Sequence, residues 1–139
     1  MIVLIDTDVL IDVALGREPF VEPASRLLDA MEKRPGTAFV AWHSISNFYY
    51  LVSPRKGAPG AKGFLLDLAR FVEVAPTTTE SLRTAGRLEM HDFEDALQVA
   101  AALACRAAVI ATRNRRDYER SPVPAATPDD VIGRLATGD

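Results

Sequence analysis

Ile2-Val3-Leu4-Ile5-Asp6-Thr7-Asp8-Val9-Leu10 is the stretch whose reading decides the fold. A short, continuous apolar run reads as a strand covered on both faces, as in the centre of a parallel sheet. An ionised group at the end of such a strand must find a hydrogen bond, a counter-charge or a metal. Asp6 stands at that end. From Asp8 to Leu15, apolar residues recur with helical spacing at Val9, Leu10, Val13 and Ala14. Asp8 reads as the cap that opens this helix, and Gly16 is placed to end it.

Working outward, the spacing predicts a helix after Pro23, with Leu27, Leu28 and Met31 on one face and Pro35-Gly36 as its stop. Ala38-Phe39-Val40-Ala41 reads as a second strand. Ser44 is positioned to cap a helix with Ile45, Phe48, Tyr49 and Val52 on its inner side, closed by Ser53-Pro54, and Gly57 to Gly60 form a link. A helix over 61–70 then leads into a strand over 71–75. Thr77-Thr78-Thr79-Glu80 matches a capping box for a helix running to about Met90, and Asp92 caps the next one. Ala96 to Ala108 is so uniformly small and apolar that burial around most of that helix is expected. Val109-Ile110-Ala111 follows as a strand, Val123 suggests a short edge strand, and Thr127-Pro128-Asp129-Asp130 opens a closing helix. Strands alternating with helices predict a parallel sheet covered on both faces.

The 139 residues suit one domain, 1–139, with no internal repeat. A 48% hydrophobic and 25% charged composition excludes wholesale disorder. No apolar stretch approaches the roughly 18 residues needed to cross a bilayer, and no secretory signal is read at Met1, so a cytoplasmic protein without membrane association is expected. Cys105 is the lone cysteine, which excludes an internal disulfide framework and a multi-cysteine zinc site. A net charge of −3 excludes nucleic-acid binding by bulk charge alone and leaves local basic clusters. One comprises Arg113, Arg115, Arg116 and Arg120; Arg55, Lys56 and Lys62 form another, which reads as a solvated face.

Ligand sites in parallel sheets lie beyond the carboxyl ends of the strands. Asp6, then Asp92, Glu94 and Asp95, then Asp117 beside Thr112 and Asn114 all fall at strand ends or helix starts that this fold gathers at one edge. Carboxylates drawn together repel one another and take up protons unless a cation holds them, and an all-oxygen set favours Mg²⁺ or Mn²⁺ over zinc. Such ions serve phosphodiester hydrolysis. Other readings stand beside this one. Asp92 and Glu94 suit a first helical turn without any chemistry, Asp117 suits an ion pair with Arg113 or Arg116, and Asn114 suits a turn. His43 and His91 are isolated and read as structural or exposed.

The opening segment resembles that of PIN-domain nucleases, in which an aspartate after the first strand is followed by Thr and usually Asn. Asp92-Phe93-Glu94-Asp95-Ala96-Leu97-Gln98 resembles the family's third-acid helix, and Thr112-Arg113-Asn114-Arg115-Arg116-Asp117-Tyr118 resembles its Thr-Arg-Asn/Asp segment with a following Asp-Phe. The resemblance implies a three-layer α/β/α sandwich with a central parallel sheet and a Mg²⁺- or Mn²⁺-dependent endoribonuclease acting on RNA. It also implies a VapC-like toxin restrained by a cognate antitoxin protein, often homodimeric. Carried across, Asp6, Asp95 and Asp117 are the metal-site acids, with Thr112 and Asn114 beside the last, and Asp92 is a further candidate ligand. One position departs: where the family usually has a glutamate on the helix after the second strand, this chain has Asn47, for which Asp92 or Glu94 would have to compensate. Two alternatives are an aspartyl-phosphate enzyme of the haloacid-dehalogenase type, with Asp6 as nucleophile and Lys33, Lys56 or Lys62 as its lysine, and a non-catalytic binding module.

Overall fold

The strands are β1 (Val3–Ile5), β2 (Ala38–Val40), β3 (Val72–Val74), β4 (Val109–Ala111) and β5 (Ala125–Ala126). They form one parallel sheet of order β3-β2-β1-β4-β5, so the apolar run at the start of the chain is its central strand. The computed structural model describes residues 1–138. Val3 pairs with Ala38 on one side and with Val109 on the other, and the whole of β1 is buried.

Among the described residues, seven helices cover the two faces: α1 (Thr7–Leu15), α2 (Val21–Glu32), α3 (Trp42–Lys56), α4 (Ala58–Leu68), α5 (Thr79–Arg87), α6 (Phe93–Ala104) and α7 (Pro128–Ala136). Strand alternation divides the core. Val3 and Ile5 pack with Leu10 of α1, Leu27 of α2, Phe48 of α3, Ala61 of α4 and Val131 of α7, whereas Leu4 and Ile110 pack on the opposite face with Val99, Ala101 and Ala102 of α6. This is the expected three-layer α/β/α sandwich. From β1 the chain first builds outward through β2 and β3, then returns to place β4 on the other side of β1. The order therefore reverses between β1 and β4, and a crevice opens beyond their carboxyl ends. No helix among the described residues is long and apolar enough to cross a membrane.

Several boundaries differ from the sequence reading, each for a local reason. α1 starts at Thr7 and its cap is Asp6, whose carboxylate accepts the Thr7 N–H at 2.7 Å; Asp8 lies inside the first turn. α3 starts at Trp42 behind Ala41, so Ser44 is a buried helical residue and not its cap, and Tyr49 faces outward. Pro54 does not end α3, which continues to Lys56 before Gly57 breaks the chain at a φ of 82°. α4 accordingly begins at Ala58, within the expected link. The capping box of α5 pairs Thr78 with Ser81 and not Thr77 with Glu80, and α5 stops at Arg87. The edge strand forms at Ala125–Ala126, two residues after Val123, which is buried.

Ser44 belongs to a polar network that the sequence did not reveal. Thr7 Oγ1 donates to Ser44 Oγ at 2.7 Å, and the Gln98 amide donates to Ser44 Oγ at 2.8 Å and to Thr7 Oγ1 at 3.1 Å. All three residues are buried, so the network ties α1, α3 and α6 together directly beneath the crevice. Its bonds have no water to replace them. Gln98→Ala is expected to lower stability by about 2–4 kcal/mol, through the orphaned hydroxyls and the space left behind, with little change in the denaturant slope. Urea unfolding checks this; a loss no larger than that of a surface substitution would show that the network carries no such role.

Candidate functional site

The crevice beyond β1 and β4 is an open cleft of 480 Å³. Asp6 and Asp8 enter it from the β1–α1 junction, Asn47 from the middle of α3, Asp92, Glu94 and Asp95 from the start of α6, and Asn114 and Asp117 from the segment after β4. The expected convergence of three distant groups of acids is therefore present. Thr112 lies buried just behind Asn114.

Each carboxylate is held by its own partners. Asp6 is 8% exposed and is gripped from both sides, by the Thr7 N–H at 2.7 Å and by the Tyr118 hydroxyl, which donates to Asp6 Oδ2 at 3.0 Å. The same phenol reaches Asp95 Oδ1 at 3.4 Å. Asp8 Oδ2 accepts from Asn114 Nδ2 at 2.8 Å and from Thr112 Oγ1 at 3.2 Å, while Asp8 Oδ1 is buried with no hydrogen-bond partner among the described residues. Asp92 caps α6, accepting the Glu94 N–H at 2.8 Å, so the capping reading of Asp92 holds and its side chain still lines the cleft.

Asp117 forms no ion pair with Arg113 or Arg116 among the described residues. Arg113 instead turns inward: its Nε lies 2.9 Å from Asp12 Oδ2, and its guanidinium lies over the Phe20 ring. Asp12 is 1% exposed on α1, so this pair binds the segment after β4 to the helix after β1. Arg116 and Arg120 line a smaller cavity of 300 Å³ that shares Asp92, Asp95 and Asp117 with the main cleft.

The electrostatics follow from this crowding. Burial pushes the Asp6 carboxyl upward, against hydrogen bonds from Thr112, Tyr118 and the Thr7 N–H that pull it down. Burial and then the neighbouring Asp6 charge push Asp8 from 3.8 up to about 7. Burial, followed by the charges of Asp92, Asp6, Asp117 and Glu94, does the same to Asp95, again to about 7. Glu94 is raised by burial and by the Asp6 and Asp92 charges, while a hydrogen bond from Asn47 pulls it back. His43, 4.0 Å from Glu94, is lowered by burial and does not balance this charge.

Among the described residues, no three His, Cys, Asp or Glu side chains are already gathered at metal-ligating distance. Mg²⁺ does not need such a cage, because it keeps several waters and is held by one or two carboxylates. The cleft offers only hard oxygen and amide donors, including the partnerless Asp8 Oδ1, a set that fits Mg²⁺ or Mn²⁺ and not a thiolate or imidazole zinc site. Lys33, Lys56 and Lys62 do not line it, so the lysine of an aspartyl-phosphate enzyme has no counterpart there.

The sequence reading missed Asp8 as a member of the site, because a strand-to-helix junction that is two residues tighter than expected transfers the capping role to Asp6. Tyr118 was passed over as the counterpart of a Phe. Its extra oxygen was the available signal.

A family model described as PIN domain matches residues 2–116. Among solved structures, VapBC2 from Rickettsia felis bound to promoter DNA superposes with a TM-score of 0.71 at 18% identity, covering 91% of this chain and 98% of that one. VapC20 of Mycobacterium tuberculosis, described as a sarcin–ricin loop cleaving toxin, gives 0.63 at 17% identity over 78% and 86% of the two chains. FitAcB from Neisseria gonorrhoeae gives 0.62 at 15% identity over 91% and 98%. At such identities these likenesses are of fold. No curated protein sequence matches the chain.

The raised carboxyls make a prediction about the cation-free protein. Asp8 and Asp95 hold their protons up to about pH 7 when folded but release them near 3.8 when unfolded. The folded state therefore binds more protons within that window, and the stability these groups contribute is lost as pH rises through it. With divalent cations chelated, the protein is expected to melt at a lower temperature at about pH 8 than at about pH 5, and Asp8→Asn is expected to flatten the difference. Thermal unfolding across that range checks it; an equal slope in the variant would contradict the assignment.

Proposed function

The chain belongs to the PIN-domain family, and from that premise we propose that it is a Mg²⁺- or Mn²⁺-dependent endoribonuclease, the toxin of a toxin–antitoxin pair. The observation that carries this reading is the cleft itself: Asp6, Asp8, Asp95 and Asp117 converge where the strand order reverses, and burial and neighbouring charges raise the carboxyls of Asp6, Asp8 and Asp95, which take up protons unless a cation relieves them. Asp6, Asp95 and Asp117 are the residues that would hold the ion, with Asp92 at the rim. The ion would supply Lewis acidity at a phosphoryl oxygen and neutralise the acids that would otherwise repel RNA.

The chain's own residues do the rest. Thr112 and Asn114 fix Asp8 by its Oδ2 atom and keep it turned into the cleft. Arg116 and Arg120, next to the acids, give the local positive charge that a protein of net charge −3 needs for an RNA backbone. Asn47 orients water or phosphate through its amide. Glu94 would substitute for the missing glutamate of α3: it lines the cleft together with Asn47, whose amide lowers its carboxyl, so a carboxylate reaches this side from α6. The similar structures support an antitoxin as protein partner, since VapBC2 is a complex bound to a DNA fragment from its promoter. A homodimer is part of the same reading.

RNA cleavage by the purified chain is expected to require added Mg²⁺ or Mn²⁺ and to stop on chelation. Asp6→Asn and Asp95→Asn are expected to reduce it by at least about 100-fold while leaving a folded protein. Undiminished cleavage by both variants would sink the assignment. Expression of the wild type should arrest growth, and expression of these variants should be tolerated. For the relocated carboxylate, Glu94→Gln is expected to lower activity about 10-fold, with Asn47→Glu restoring it in the same chain; the absence of rescue would mean that the two positions are not interchangeable.

A further inference from the structure

Tyr118 closes a single 3₁₀ turn, Arg115–Tyr118, and differs from the residues around it in being 3% exposed. Its ring packs with Leu4, Ile110 and Val123 in the core on the α6 side of the sheet. That packing needs only a ring. The hydroxyl needs a separate explanation. It lies between the two acids that reach the cleft from different elements, 3.0 Å from Asp6 Oδ2 and 3.4 Å from Asp95 Oδ1. A phenol has one proton to donate, so it cannot bond both carboxylates at once, and it gives the shorter bond to Asp6. Burial and the adjacent Asp6 and Asp95 charges push its ionisation well above the ordinary range, which keeps it a donor at any physiological pH.

We propose that Tyr118 is a positioning residue whose hydroxyl fixes the Asp6 carboxylate beside that of Asp95, so that one divalent cation can engage both. This rests on the metal site proposed above. Asp6 Oδ1 is already fixed by the Thr7 N–H, so the phenol on Oδ2 removes the remaining freedom of that carboxylate. Outer partners of this kind tune metal affinity by roughly 10- to 100-fold without touching the substrate.

Tyr118→Phe retains the ring and deletes only the oxygen. Titration calorimetry of the full chain with Mn²⁺ is expected to show affinity at least about 10-fold weaker than wild type. In RNA cleavage, the Mn²⁺ concentration for half-maximal rate should rise by a similar factor, while the rate at saturating Mn²⁺ stays close to wild type. A purely structural hydroxyl would instead lower the melting temperature and leave the Mn²⁺ affinity unchanged, and that result overturns the inference. If the variant is less stable, the upward shift in its melting temperature on adding Mn²⁺, taken against its own cation-free melt, gives the affinity independently, and a shift equal to that of wild type is likewise fatal. Asp6→Asn is the control. Loss of the Mn²⁺ heat in Asp6→Asn with wild-type binding by Tyr118→Phe rejects the positioning role alone, whereas heat retained in Asp6→Asn rejects the metal site and the inference with it.

Discussion

The backbone N–H of Asp6 donates to the carbonyl of Ala111 at 2.9 Å, and the arrangement of the cleft depends on that bond. It is the last rung between β1 and β4, which run in register from Val3 beside Val109 to Ile5 beside Ala111. Asp6, which donates the rung, and Thr112, the residue after Ala111, are both buried. Slipping either strand by one residue would exchange its two faces and turn these side chains into the core or out of reach of one another. Parallel pairing supplies the register, and the strand-order reversal at this pair supplies the opening.

A cleft holding so many acids is strained by its own charge, and the structure counters that strain with hydrogen bonds from neutral groups, helped at Asp8 by the Arg113 charge. The Arg113 guanidinium pairs chiefly with Asp12 on α1, and His43, 4.0 Å from Glu94, is lowered by burial. What faces the carboxylates is a set of neutral donors: the Thr7 N–H, Thr112, Asn114 and Tyr118. Neutral donors orient carboxylates without neutralising them, so the site keeps its attraction for a cation. The arginines that remain free of such pairing, Arg116 and Arg120, stand at the margin, where a polyanion would meet them first. The buried network of Thr7, Ser44 and Gln98 holds up the floor, which keeps three helices from spreading under this electrostatic load.

How much was legible in the sequence depended on the kind of signal. The central strand, the helical stripes of α2 and α7 and the densely apolar α6 are periodic or continuous patterns, and these were read correctly in type, although α6 ends at Ala104 and not at Ala108. Boundaries failed wherever a single residue had two competing roles. Asp6 and Asp8 both suit a cap, Ser44 suits a cap or a buried hydroxyl, and Thr77 and Thr78 are chemically equivalent; only the geometry of the preceding strand selects among them. In the site, Asp6, Asp95, Asn114 and Asp117 were found because each sits at an element end. Asp8 was discounted through the misplaced cap, Arg113 was given the wrong partner, and Tyr118 was read for its ring.

The sequence by itself determined the class of fold and the chemistry available to it, because a two-sided apolar strand, alternating elements and acids at their ends depend on composition along the chain. It also determined that the usual acid of α3 is an amide here. Tertiary structure decided which oxygens meet: that Glu94 stands against Asn47, that Asp8 is fixed by Thr112 and Asn114, and that one phenol spans Asp6 and Asp95. These are contacts between residues as much as 112 positions apart, and angstrom-scale placement of that kind follows from sheet register and helix packing, which no local pattern encodes.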